Sequence, residues 1–155
     1  MAYVYDPDDG VSDPLPTAEE VRARVRNWKA RLNALYDRIE DWLPADRGFA
    51  VNRSLGQPMA EPLMRMTGVD RDVAPILVVR FPDPDRRLGL TPDGLWVYGT
   101  NGRLHVSGPV AGRRTYLIDV GSDDRPDWRI YPYRDTRRAV PFDRNEFRTL
   151  LGEVP

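Results

Sequence analysis

The chain contains no cysteine, a single histidine (His105) and a single lysine (Lys29) among its 23 Lys and Arg residues. The missing cysteine excludes a disulfide framework, a thiol nucleophile and a cysteine-ligated zinc site, and it fits a reducing compartment. With one histidine, a zinc site would need carboxylates as its remaining protein ligands, and no HExxH spacing exists. Phosphate-cradling patterns are missing as well: there is no GxxxxGK[ST] and no GxGxxG, and no GxSxG places a serine on a nucleophile elbow. No apolar run approaches the ~20 residues that a membrane span needs. The opening MAYVYDPDDGVSDP has neither the basic flank nor the apolar core of a signal peptide. These absences predict a cytoplasmic protein with no membrane partner, no cofactor, no metal and no catalytic residue set.

What is present is a chain of 155 residues, the size of one domain, with a formal net charge of -1. A domain of this size buries roughly 70% of its unfolded surface and needs no covalent or metal staple. Net charge near zero gives no global pull toward nucleic acid or a membrane surface. The scarcity of lysine fits a GC-rich bacterial coding sequence, or selection for arginine chemistry.

Residues 1–16 carry Asp6, Asp8, Asp9 and Asp13, three prolines and no basic residue, and are expected to form an extended acidic arm. Residues 17–155 are expected to form one domain. Thr17 and Glu20 make a capping box. Val21, Val25, Trp28, Leu32, Leu35, Ile39 and Trp42 then recur at alternating spacings of four and three, which predicts one amphipathic helix over Thr17–Leu43. Pro44 ends it. Asp46–Asp72 is expected to be loop followed by a short helix over Pro62–Thr67. From Val73 the pattern predicts strands at Ile76–Phe81, Arg87–Thr91, Leu95–Thr100, Arg103–Ser107 and Thr115–Val120, with a sixth possible at Trp128–Tyr131. Asp143, Glu146, Phe142 and Phe147 mark the start of a closing helix. The predicted fold class is α+β: a mostly antiparallel five- to six-stranded meander sheet packed against a long N-terminal and a short C-terminal helix.

Asn101-Gly102 between two apolar runs predicts a two-residue type I′ hairpin turn. In that register Thr100 pairs with Arg103, Tyr98 with His105 and Trp96 with Ser107. Trp96, Tyr98, Arg103 and His105 would then share one face, a candidate binding surface or second packing face. Asp119 is the nearest candidate to orient His105 as a general base. The acidic runs Asp6/Asp8/Asp9 and Asp123/Asp124/Asp127 match no EF-hand loop and are expected to be solvated.

The helix supplies a second candidate surface. Arg22, Arg24, Arg26, Lys29 and Arg31 precede Asp37, Glu40 and Asp41, and acids in the last turn oppose the helix dipole. A second copy of the chain or a basic partner could compensate them, which makes Arg24, Arg31, Asp37 and Asp41 candidate contacts. In Trp128–Arg138, aromatics and arginines interleave, the pattern of single-stranded nucleic-acid contacts at Tyr131, Tyr133, Arg134, Arg137 and Arg138. The acidic balance of the chain and Asp127 and Asp135 weigh against that partner. The expected function is a small, non-enzymatic bacterial protein-binding module, immunity-like or an accessory subunit, acting on a protein partner or on itself. The alternatives are an enzyme or ligand binder using the Trp96/Tyr98/Arg103/His105 face, and single-stranded nucleic-acid binding through residues 128–138.

Overall fold

The computed structural model describes residues 15–108, 115–131 and 139–152. It begins with helix α1, Ala18–Trp42. Thr17 Oγ1 accepts the Glu20 N–H while the Glu20 carboxylate returns to the Thr17 N–H, so the capping box is complete. Leu43, extended before Pro44, closes the helix. The chain continues through β1 (Ala50–Asn52), β2 (Gly56–Met59), α2 (Pro62–Met66), β3 (Asp72–Pro75), β4 (Leu77–Arg80) and β5 (Arg87–Gly94). It ends with β6 (Arg103–Ser107), β7 (Thr115–Asp119), β8 (Trp128–Tyr131), β9 (Val140–Pro141) and α3 (Arg144–Leu150).

The fold is α+β. Seven strands form one antiparallel sheet in the order β1-β4-β5-β6-β7-β8-β9, and β2 and β3 form a separate two-stranded ribbon. Leu77, Val79, Leu88, Leu90, Leu104, Val106, Leu117 and Ile130 alternate onto one face of the large sheet. Against them lie Val21, Val25, Trp28, Leu32, Leu35 and Ile39 of α1, all at most 3% exposed. Trp42 packs edge-on against Phe142, whose ring meets Phe147 of α3. Asp143 caps α3 by accepting the Glu146 N–H.

Several expectations are corrected. The strand count is seven plus two, because the two-residue β9 precedes the closing helix where no strand is expected, and β1, β2 and β3 fall in or beside the segment expected to be loop. These strands are short and interrupted by Gly56, Pro58 and Pro75, so no alternation marks them. The buried arc of α1 is also wider than its seam, since Tyr36 and Arg31 are buried too. The Tyr36 hydroxyl donates to Pro75 O at 2.7 Å, and burial pushes its phenol well above the usual range.

The hairpin register is the largest correction. Leu95–Thr100 is not a strand. β5 runs on to Gly94 through a bulge between Pro92 and Gly94, and Thr91, not Tyr98, pairs with His105. Leu95–Gly102 is the connection between β5 and β6. Residues 1–14, which hold most of the expected acidic arm, lie outside the described residues, as do Tyr133, Arg134, Arg137 and Arg138.

Leu32 is fully buried at the centre of the α1 seam. Leu32→Ala should lower stability by about 2–5 kcal/mol, read as a fall in the thermal unfolding midpoint. An unchanged midpoint would mean that α1 does not share the core.

Candidate functional site

On α1, Arg24, Asn27, Trp28 and Arg31 stand at i, i+3, i+4 and i+7, so one stripe of the helix faces the β5–β6 connection. This stripe holds the connection in place. Arg31 is 4% exposed and lies under the helix, not on its solvent face as the charge zoning implied. Its Nη1 donates to Asp119 Oδ2 and to Asn101 O, each at 2.7 Å. Its Nε donates to Asn27 Oδ1 at 2.6 Å. The guanidinium also sits 5.0 Å from the Trp28 ring centre. The remaining Nη2 makes no hydrogen bond among the described residues and lies 3.9 Å from Asp123 Oδ1.

Asp119, fully buried at the end of β7, accepts from Arg31 on one oxygen. Its other oxygen accepts the N–H groups of Gly121 and Asp127, both at 2.8 Å. Both carboxylate oxygens are therefore matched by donors, the condition under which a buried ion pair is tolerated. Asp119 lies on the core face of the sheet and His105 on the other, because His105 pairs with Tyr116 and not with a core-facing position. Asp119 thus does not orient His105. Among the described residues no carboxylate hydrogen-bonds His105. Its ring meets Tyr116 edge-on at 5.6 Å.

Asn101, 1% exposed, is the hub of the connection. Its N–H donates to Asp119 O at 2.7 Å, and its carbonyl accepts Arg31. Its side-chain Oδ1 accepts Arg24 Nη2 at 2.8 Å, and Nδ2 donates to Asp123 Oδ1 at 2.9 Å. Gly102 has φ of +126°, and a Cβ there would stand 2.3 Å from the Trp28 ring. The Asn-Gly pair thus serves close backbone approach to a tryptophan, not a two-residue turn. Asp123 and Asp127, expected to be solvated, belong to this network.

The front of the connection is held by Glu61, the N-cap residue of α2. Its Oε1 accepts the N–H groups of Leu95 (2.7 Å) and Trp96 (3.1 Å). Burial pushes the Glu61 carboxyl up, against the pull of those two N–H groups and of Arg24. Its Oε2 is buried without a hydrogen-bond partner among the described residues. Burial likewise lowers the Arg24 guanidinium, opposed by the charge of Asp123. Between these two anchors the chain turns once. Thr100 N–H donates to Val97 O at 3.1 Å, and Gly99 has φ of +73°, matching the third position of a type II turn. Thr100 Oγ1 braces the turn by donating to Val97 O and accepting the Gly102 N–H. At the tip, Tyr98 is 79% exposed.

Beside the connection an open cleft of about 370 Å3 is lined by Pro16, Glu20 and Arg24 of the α1 start together with Trp96 and Asp123. Arg24 lies over the Trp96 ring, 5.7 Å from its centre. The structure thus brings Arg24, Trp96 and Tyr98 to one end of the molecule, with Arg31 buried beneath them. Arg103 and His105 are on the outer sheet face, where Arg103 pairs with Asp93 and covers the Tyr116 ring. Asp37 and Asp41 are exposed at the far end of α1. There Arg53 answers the acidic turn from within the chain: Nη1 donates to Asp37 Oδ1 at 2.6 Å and lies 3.5 Å from Glu40. Tyr131 ends β8 on the outer face, opposite Tyr116. Among the described residues no group of three or more His, Asp or Glu side chains could hold a metal ion.

Two measurements check this construction. Removing one member of the buried pair, as in Asp119→Ala, should cost about 3–5 kcal/mol, and the loss in Arg31→Met/Asp119→Leu should fall well short of the sum of the two single losses. Additive losses would show that the two groups do not interact. For Glu61, a folded-state pKa above the unfolded one means that the native state binds more protons in the window between them. Stability then falls as pH rises through that window. Glu61→Gln keeps an acceptor for Leu95 and Trp96 without the desolvated charge. It should melt at or above the parent at about pH 7, with the gap shrinking toward about pH 4. A variant that melts lower at neutral pH would show that the charge stabilises the loop.

Comparison with known protein families, with curated proteins and with solved structures returns no match for this chain. Its function has to be read from the chemistry of its own surfaces.

Proposed function

We propose that this chain is a small, non-enzymatic protein-binding module, an immunity-like protein or accessory subunit working in the cytoplasm. Its contact surface is the braced Leu95–Gly102 connection. The carrying observation is a tyrosine left 79% exposed at the tip of a loop that is tied down by part-buried hydrogen bonds on one side and a buried one on the other. An ordered loop loses little conformational entropy on binding, so more of the contact energy appears as affinity. Tyrosine combines large area, few rotatable bonds and a polar tip, which suits it to anchor in a partner's pocket. Trp96 and Arg24, at the adjacent cleft, supply the half-buried rim. Function on a loop held by a rigid scaffold is the usual division of labour.

Of the two surfaces the sequence offers, this favours the Trp96/Tyr98 region over the zoned helix. Arg31 is engaged inside the fold, and Asp37 is paired with Arg53, so the helix presents less free charge than its sequence implies. An enzyme built on His105 is disfavoured because its nearest ring partner is Tyr116 and no carboxylate orients it among the described residues.

The test is a comparison of affinity captures from the native host, using the parent, Tyr98→Ala and Asp41→Lys as baits, with quantitative mass spectrometry. A protein held by the parent and by Asp41→Lys but lost by Tyr98→Ala is the expected result. With the purified pair, Tyr98→Ala should lower affinity by about 2 kcal/mol or more at an unchanged melting midpoint. Equal recovery on all three baits would place the contact elsewhere. Substrate turnover that depends on His105 would remove the proposal altogether.

A further inference from the structure

The outer face of the large sheet, turned away from α1, carries a different kind of surface. Among the described residues no helix covers it. Core-facing Leu104, Val106, Leu117 and Ile130 are buried, while their outward neighbours stay half-exposed or exposed. The strand register places Thr91, His105, Tyr116 and Tyr131 in one row across β5, β6, β7 and β8. Adjacent strands are roughly 4.8 Å apart, so three of these rings stand side by side.

Arginines flank the row. Arg103 and Arg129 lie one step along, on either side of Ile118. Arg80 and Arg87 face each other directly across β4 and β5, both exposed, with no carboxylate partner among the described residues. Like charges placed opposite each other destabilise a sheet unless something neutralises them. The only outward carboxylate on β4 to β8 is Asp93, already on Arg103, and the loop residue Asp127 reaches Arg129 at 3.3 Å. Arg103 and Arg129 are thus answered by Asp93 and Asp127, and among the described residues Arg80 and Arg87 are the exposed arginines of this face without a carboxylate partner, at the two ends of the turn that carries Asp83 and Asp85.

We infer that this face binds single-stranded nucleic acid, with bases stacked on Tyr116, Tyr131 and His105 and phosphates held by Arg80, Arg87 and Arg129. An acidic protein surface would satisfy the arginines but not the aromatic row. The outward apolar side chains Val78 and Ile118 are separated by β5 and β6, which leaves no contiguous apolar centre for a protein interface. Bases, by contrast, stack on single exposed rings and on guanidinium planes. The Arg103 guanidinium carbon already lies over Tyr116, 4.9 Å from the ring centre. The charge balance of the whole chain matters less than the two exposed arginines that face each other across β4 and β5 without a carboxylate partner among the described residues. The surface is separate from the Tyr98 loop, so the two proposals stand or fall independently.

The experiment is fluorescence anisotropy of labelled oligo(dT) and oligo(U) titrated with the full chain at low salt. Binding should weaken with salt at a log–log slope of about -2, as release of counterions from three phosphates on a single strand implies. Arg80→Glu/Arg87→Glu should weaken binding about tenfold or more, and Tyr131→Ala about tenfold. Tyr98→Ala should leave it unchanged. Circular dichroism and the melting midpoint establish that each variant is folded, and Arg80→Gln/Arg87→Gln gives a milder second series at the same exposed positions. No binding by the parent at low salt overturns the proposal. So does binding that the folded face variants leave intact, or polyglutamate competing as well as an oligonucleotide does.

Discussion

The buried ion pair between Arg31 and Asp119 is the contact on which the arrangement of the β5–β6 connection depends. It joins the middle of α1 to the end of β7, and through Asn101 it fixes the β5–β6 connection between them. Two charges taken out of water lose several kcal/mol of solvation each, and their attraction recovers this only when the other lone pairs and protons are also matched. Asp119 meets that condition with two backbone N–H groups in addition to the guanidinium. Arg31 nearly does, with Nη2 left to the charge of Asp123. Such a pair contributes position more than net stability. An apolar pair of equal volume would hold the helix on the sheet, but it would give Asn101 no donor for its carbonyl and the loop no fixed height.

From that pair the chemistry of the loop follows in order. Each polar group of Asn101 is engaged, so it cannot move without breaking several bonds together. Gly102 lets the backbone pass against the Trp28 ring. Glu61 ties the opposite end from α2, at the cost of a carboxyl group held above its usual pKa. What remains free between these anchors is one turn and one aromatic side chain. A tyrosine on an unbraced loop would be unremarkable, since single exposed aromatics are common. Set on a loop with this much polar support, it is the contact point we propose.

Arginine does three separate jobs in this chain. Arg31 is structural and buried. Arg53 neutralises the acidic end of α1 and closes over Tyr36, 5.6 Å from the ring centre. Arg80, Arg87, Arg103 and Arg129 stand on the outer sheet face, the last two paired with Asp93 and Asp127. A delocalised, weakly hydrated guanidinium suits all three roles, because it can be desolvated, can fork between acceptors and can stack on a ring. Lysine would serve the first and last poorly.

What the sequence determined by itself is whatever local periodicity and capping encode. The limits of α1, its buried seam, the short helix at Pro62, most strands of the meander and the start of α3 were all legible, because i, i+3, i+4 spacing and alternation report a buried face directly. Positive φ at Gly102 was legible too. The tertiary structure alone decided the rest. Pro92 reads as a strand terminator, yet a bulge carries β5 past it, and that shift moved Tyr98 and Trp96 away from His105. Arg31 reads as solvent-facing by its charge, yet a carboxylate 88 residues later makes its burial possible. The polar spacing Arg24, Asn27, Arg31 was the one signal that a stripe of α1 faced something hydrophilic. Its partners could not be named, because ion pairs and hydrogen bonds between distant segments have no period in the sequence. They exist only once packing has brought the segments together and removed the water between them.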